Sequence, residues 1–488
     1  MAASVLGATG AAFLVDRLGG GSDLPLAPVA AALVVLALFC HRPADGLVAF
    51  AVFTLLADTV EHWLSLDLLL FDELSVLLLA GVAVARHGAP NGRLRVGIPE
   101  VALIVLALAG VLSSLVSGVP VVTLFAGLAL LFKAIGLFYV VSWLRLTLDD
   151  ASRIGFVVIV TGLVIGALGF VEWLNPSAFQ SALGLPPFEQ SRATVTVIRS
   201  IFLHPAQYGW LTAFTSLLLY AVFLTRRWWW ALPVAIVMDL GTVLSGRRTP
   251  LLGVLAGLAA GLLRQLSGVR SRLSLVRTWV PLLAAFAVLV VMLLPIMGSL
   301  VRYTIGEYMP NPAAVSELFS DDPDPDVVSA LHPRTALYLG SVAVARDDLP
   351  LGAGFGRYGS HLSRAEYSPI YALYGLDRIY LLGPERPDAV TDTFWPMVLG
   401  ETGVLGLVAA LVFFGSLLVE LWRSANADAS PAVRAIALGA LMVFVEGLVR
   451  SLTASVYTAP PIAYFVMGAA GVSIAVSRTL AENAASTV

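Results

Sequence analysis

The chain has 488 residues, of which 58% are hydrophobic and 12% charged, and its mean hydropathy is +0.89. A soluble chain carries about 25% charged residues, so the outer surface here has to meet lipid, and a water-soluble enzyme is excluded. The net charge of -3 excludes nucleic-acid binding by bulk positive charge, and a single cysteine, Cys40, excludes a disulfide framework or a thiolate metal site.

About 20 mostly apolar residues cross a bilayer as a helix. On that criterion spans are predicted near 24–40, 66–85, 98–117, 120–144, 153–173, 205–225, 228–245, 249–264, 279–298, 397–420, 432–451 and 459–476. Weaker candidates near 4–16 and 44–58 bring the total to fourteen. The first lacks the basic flank of a signal peptide and reads as a span or a surface helix. The expected fold class is therefore an all-α, polytopic membrane protein with 12–14 transmembrane helices, divided into residues 1–299, a long external loop 300–393, and residues 394–488.

Orientation rests on arginine, because Lys133 is the only lysine. Arg86, Arg93, Arg95, Arg145, Arg153, Arg226, Arg227, Arg264, Arg423, Arg434 and Arg478 recur on alternate sides of the predicted spans, so the positive-inside rule makes their face cytoplasmic. A loop around 174–204, a tight turn at 245–249 and the 94-residue segment 300–393 fall on the opposite face. That segment holds 13 acidic and 7 basic residues, and its Pro-broken run Asp321–Asp326 reads as solvated extended chain rather than a metal site.

Several arginines break the orientation rule. Arg247 and Arg248 occupy a turn bounded by Gly246 and Pro250, Arg192 and Arg199 precede it with His204 just beyond, and Arg334 opens the run Arg334-Thr335-Ala336-Leu337-Tyr338. Guanidinium forks match phosphate oxygens and stay charged at any relevant pH, so an outer cluster of them points to an anionic, lipid-linked ligand, with pyrophosphate as the natural candidate. The plainer alternative is that they snorkel toward ordinary head groups or pair with nearby acids. Inside the spans, Asp72, Glu73 and Lys133 are functional candidates by their cost in lipid, whereas Glu446 and Arg450, at i, i+4 spacing, read as a structural ion pair.

Three stretches occur in order. The first is Arg199-Ser200-Ile201-Phe202-Leu203-His204-Pro205, running on to Gly209; the second is Ser245-Gly246-Arg247-Arg248-Thr249. The third starts at Arg334, continues through Pro350-Leu351-Gly352-Ala353-Gly354-Phe355-Gly356-Arg357-Tyr358 and ends at Glu401-Thr402-Gly403-Val404-Leu405-Gly406. Over about residues 190–420 this order resembles the O-antigen ligase and O-antigen polymerase (Wzy-type) superfamily. The resemblance implies a membrane glycosyltransferase of GT-C-like architecture in the bacterial cytoplasmic membrane, with its active site on the outer face. Its donor would be an undecaprenyl-pyrophosphate-linked oligosaccharide and its acceptor a glycan hydroxyl, with no metal or other cofactor and no nucleic acid. Carried over by position, Arg247 or Arg248 together with Arg334 would clamp the pyrophosphate, Arg247, Arg248 and Arg334 being the catalytic candidates, while Arg199, His204, Arg357, Tyr338, His361 and Glu401 are the candidate substrate-binding residues.

Ligases of that superfamily place a catalytic histidine nine residues before the Glu of Glu-x-Gly; here that position is Asp392. Either Asp392 takes the base role, or His361 reaches in, or the chemistry is organised differently; Asp392 is preferred, and the missing histidine favours polymerase over ligase. A lipid-linked oligosaccharide transporter is the rival from another class, but no inverted repeat supports it.

Overall fold

The computed structural model describes residues 26–65, 68, 71–87, 97–186, 191–192, 195–267, 316, 331–425 and 429–485. The spans expected at 4–16 and 279–298 and the Asp321–Asp326 run lie outside the described residues.

Leu26–His41 (α1) and Pro43–Leu64 (α2) are parted only by Arg42, whose extended backbone breaks the helix before Pro43 restarts it. Phe71–His87 (α3), Ile98–Val116 (α4), Val121–Trp143 (α5), Leu148–Leu174 (α6) and the short Pro176–Ala182 (α7) follow. Ser191–Arg192 and Val195–Thr196 form a two-residue hairpin, the one strand pair among the described residues. Pro205–Arg226 (α8), Ala231–Leu244 (α9) and Arg248–Leu266 (α10) complete the first half. The segment to residue 393 contributes Pro333–Asp347 (α11), His361–Ala365 (α12) and Ile370–Leu373 (α13), and Trp395–Ser424 (α14), Pro431–Arg450 (α15) and Ile462–Ala485 (α16) close the chain.

A polar side chain just before a proline starts many of these helices. Asn175, His204, His332 and Ser430 each accept a backbone N–H of the first turn, and a proline follows each. The nine helices long and apolar enough to cross a membrane among the described residues make this a multi-pass membrane protein. Burial separates centre from periphery: 89% of the apolar window of α8 is buried, against 22% for α6, whose Phe156, Val164 and Val171 are exposed on the outside of the bundle. The expected weak span 44–58 is the full-length α2, and the expected span 66–85 starts only at Phe71, so Asp72 and Glu73 open a helix instead of lying within one.

Contacts at the helix ends define two faces. Arg153 pairs with Asp45 at 2.9 Å, Arg478 donates to the Ser142 carbonyl, Arg264 donates to the Trp422 carbonyl, and Ser424 meets Ser473. These bonds gather the arginine-rich ends on one side. The other side carries the 117–120 turn, residues 195–204, the 245–249 turn, residues 331–393 and residues 451–461. There α11 to α13 fold over their own small apolar core, including Leu337, Val344, Tyr358, Tyr371 and Leu382.

The glycine-rich stretch joins that subdomain to the bundle. Gly352 N donates to Ser113 Oγ and Phe355 N to Ser114 Oγ, while Ala353 N and Gly354 N donate to the Gly400 and Glu401 carbonyls. Gly354 has φ +92°, and a Cβ there would stand 2.7 Å from Ser114 Cα, so only glycine fits. The Phe355 ring fills space left by Gly110 and Gly127. On α14, Gly403 (φ 69°, ψ -169°) kinks the helix where Leu351 crosses it.

Candidate functional site

The first turn of α11 sets Arg334. His332 Nδ1 accepts its backbone N–H at 3.3 Å, Pro333 fixes the turn, and Arg334 Nη2 reaches Asp392 Oδ2 at 2.9 Å. Their side chains are 24% and 39% exposed. A pair so open to water is worth only about 0–1 kcal/mol, so its geometry reports on placement rather than stability.

The 245–249 turn holds the second cationic group. Arg247 stands at the N-cap of α10, and its Nη2 lies 3.0 Å from His204 Nε2 at the N-cap of α8. Gly209 makes this approach possible, because a Cβ there would sit 2.2 Å from Ser245 Oγ. Arg248 is the first helical residue of α10 and is half-buried.

Residues 451–461 tie the two together. Thr453 Oγ1 donates to Thr249 Oγ1 at 3.0 Å, next to Arg248, and the Leu452 carbonyl accepts the Tyr338 hydroxyl at 2.8 Å, one turn beyond Arg334. Trp395 Nε1 donates to Ser451 Oγ at 2.8 Å, and Phe394 N to the Ser451 carbonyl, which fixes the chain just after Asp392. The segment offers only hydroxyls and backbone to a sequence reader and was not among the expected site residues. Beneath it, Arg450 and Glu446 form their buried pair at 3.4 Å, with Gly253 of α10 against the glutamate.

Other sequence candidates are occupied inside the protein. Arg199 is 1% exposed; its guanidinium donates to the Leu203 and Pro186 carbonyls. Its backbone N–H and that of Ser200 go to Glu172 Oε2, and Gln180 goes to Glu172 Oε1, which makes Glu172 the organiser of this loop. Glu401, expected at the substrate, is 3% exposed and accepts the backbone N–H groups of Gly356, Arg357 and Tyr358 and the Ser360 hydroxyl. It therefore clamps the glycine-rich loop, and Arg357 enters that clamp through its backbone.

His361 sits elsewhere, at the mouth of a cavity of about 820 Å3. The cavity runs between α2, α3 and α5, with residues 359–362, Thr391 and residues 455–461 around its opening. At its floor Lys133 Nζ donates to Asp72 Oδ2 at 2.8 Å and to Glu73 Oε1 at 2.7 Å, and the Tyr464 hydroxyl donates to Asp72 Oδ2 at 2.8 Å. Desolvation, followed by the charges of Arg364 and Lys133, holds the His361 imidazole below its usual 6.5. None of Arg247, Arg248, Arg334 and Asp392 lines this cavity, although Thr391 precedes Asp392 and Asp58, on the wall, accepts from Gln207 of α8 at 2.6 Å. Among the described residues no cluster of three or more His, Cys, Asp or Glu has the geometry to hold a metal.

Compared with known proteins, the chain matches no family model and no curated protein.

Proposed function

We propose that the protein is a bacterial cell-surface polysaccharide polymerase that transfers a glycan from an undecaprenyl-pyrophosphate carrier to an acceptor glycan hydroxyl. The observation that supports this reading is that Leu452 and Thr453 bond to Tyr338, one turn from Arg334, and to Thr249, beside Arg248, on the face opposite the arginine-rich helix ends, where Arg334 pairs with Asp392 and Arg247 with His204. That face would be external, and the membrane the cytoplasmic one.

In this reaction the acceptor oxygen forms a bond to the anomeric carbon as the bond from that carbon to the phosphate oxygen breaks. Asp392 takes the hydroxyl proton, and the lipid diphosphate departs with the bonding electrons. Displacement from the opposite face inverts the anomeric carbon. Negative charge grows on the departing phosphate, where fixed guanidinium groups act without reorganising. Arg334 would serve twice, orienting the carboxylate of Asp392 and facing the diphosphate.

The test is transfer by purified protein in liposomes given a polyprenyl-pyrophosphate-linked oligosaccharide and no nucleotide. Wild type is expected to lengthen the glycan with EDTA present, and Asp392→Asn to lose about 10²–10⁴-fold in turnover while retaining donor binding. Full activity of Asp392→Asn, with His361→Ala inactive, would move the base to His361. Absence of elongation by wild type would remove the proposal.

A further inference from the structure

We infer that the 820 Å3 cavity beside the arginine rim is a binding site for uncharged sugar, the acceptor chain, and that it rejects the diphosphate. This rests on the transferase reading for the word acceptor; the charge and shape of the cavity stand without it.

The charged groups on its described wall are one-sided. Asp58, Glu61, Asp72, Glu73 and Glu366 face it, and Lys133 is the one lysine or arginine among the described lining residues. Both carboxylates at the floor already hold that ammonium, so no cation is left over to meet phosphate. A diphosphate entering here would face carboxylates on several sides in a partly dehydrated space, where like charges repel strongly. Sugar hydroxyls have the opposite requirement: they donate, and carboxylates are acceptors with several lone pairs. Glu73 Oε2 is buried beside the Asp72 carboxyl with no N–H or O–H of the protein donating to it, while its sister oxygen holds Lys133. Such an acceptor needs a donor to offset its desolvation.

Shape agrees with charge. Phe71, Leu74, Leu77 and Leu130 give an apolar wall for the C–H faces of a sugar ring, beside the hydroxyls of Thr54, Thr123 and Ser360. Convergent polar groups on an apolar wall, at this volume, are what small-molecule sites look like. The lining residues of α5 run from Val122 to Lys133, about 16 Å at the helical rise per residue, so the cavity is long enough for more than one sugar unit. Its opening includes Thr391, so a chain emerging from it would present a hydroxyl beside Asp392.

The experiment uses full-length protein in nanodiscs with Cys40→Ser, which removes the exposed native thiol, and Ala129→Cys on the cavity wall. Labelling rates are compared for a cationic trimethylammonium-ethyl and an anionic sulfonatoethyl methanethiosulfonate. Protection is measured with inorganic pyrophosphate and with maltotetraose, cellotetraose and chitotetraose. The cationic reagent is expected to react at least about tenfold faster. At least one oligosaccharide should slow labelling severalfold, and pyrophosphate should not; Arg334→Ala should leave this pattern unchanged. Equal or faster labelling by the anion, protection by pyrophosphate, or no protection by any of the three sugars would overturn the inference, and Ala126→Cys repeats the test if Ala129→Cys does not fold. Lost sugar protection in a protein that still transfers glycan would sink this site alone. Sugar protection without any transfer would sink the transferase reading and leave a glycan-binding membrane protein.

Discussion

Two charged regions lie on either side of residues 451–461, and they are built by different rules. At the rim, Arg334 and Asp392 meet half-exposed, each on a loop or a first helical turn, and Arg247 meets an imidazole. At the cavity floor, Lys133 is 8% exposed and enclosed by two carboxylates and a tyrosine. Taking an ion out of water costs several kcal/mol after relaxation. The floor residues are therefore bound to one another by necessity, whereas the rim residues can release their partners to a ligand at small cost. Accessible charge carries the proposed chemistry; enclosed charge carries architecture and shapes a pocket.

The contrast can be broken first at the floor. Lys133→Met leaves two carboxylates without their cation and should destabilise the protein by about 3–5 kcal/mol, read as a large drop in the thermal unfolding midpoint in detergent. Neutralising all three groups, Lys133→Met with Asp72→Asn and Glu73→Gln, should recover most of the loss. If the single variant unfolds like wild type, the floor is not a closed charge cluster.

A smaller effect sharpens the boundary between the regions. With its pKa depressed, His361 stays neutral in the folded protein at pH values where the unfolded chain binds a proton. The unfolded state then holds more protons, so stability rises with pH. This contribution is complete above 6.5, the ordinary value, and erodes as the pH falls below it. Between pH 6.5 and about pH 5, His361→Gln should lose less of its unfolding midpoint than wild type; identical pH profiles would show that burial and the neighbouring cations do not hold this imidazole below its ordinary value.

How much of this was legible in the sequence differs between the two regions for a physical reason. Hydropathy finds helices because lipid demands apolar length, and it underrates α2 only because Asp45, Asp58, Glu61 and His62 lie within its range. In the glycine-rich stretch Gly354 and Gly356 take positive φ, a backbone region that glycine enters without strain, so glycine at those positions is itself a legible signal. Glu446 and Arg450 were readable as a pair, since helical spacing alone brings them together. Lys133 and Asp72 could be singled out as costly in lipid, but their meeting spans 61 positions and is decided by packing. The rim was half visible: arginines on the unexpected face stood out, while Thr249, Leu452 and Thr453, which join them, carry no pattern. Arg199 and Glu401 stood out equally, yet burial commits them to their own loops.

The most direct test of the central claim is the affinity of undecaprenyl pyrophosphate for the purified protein and for Arg247→Ala and Arg334→Ala. If the two arginines face one diphosphate, each variant should keep its fold and bind at least about tenfold more weakly, a loss of about 1.4 kcal/mol. Wild-type affinity in either variant would contradict the shared clamp.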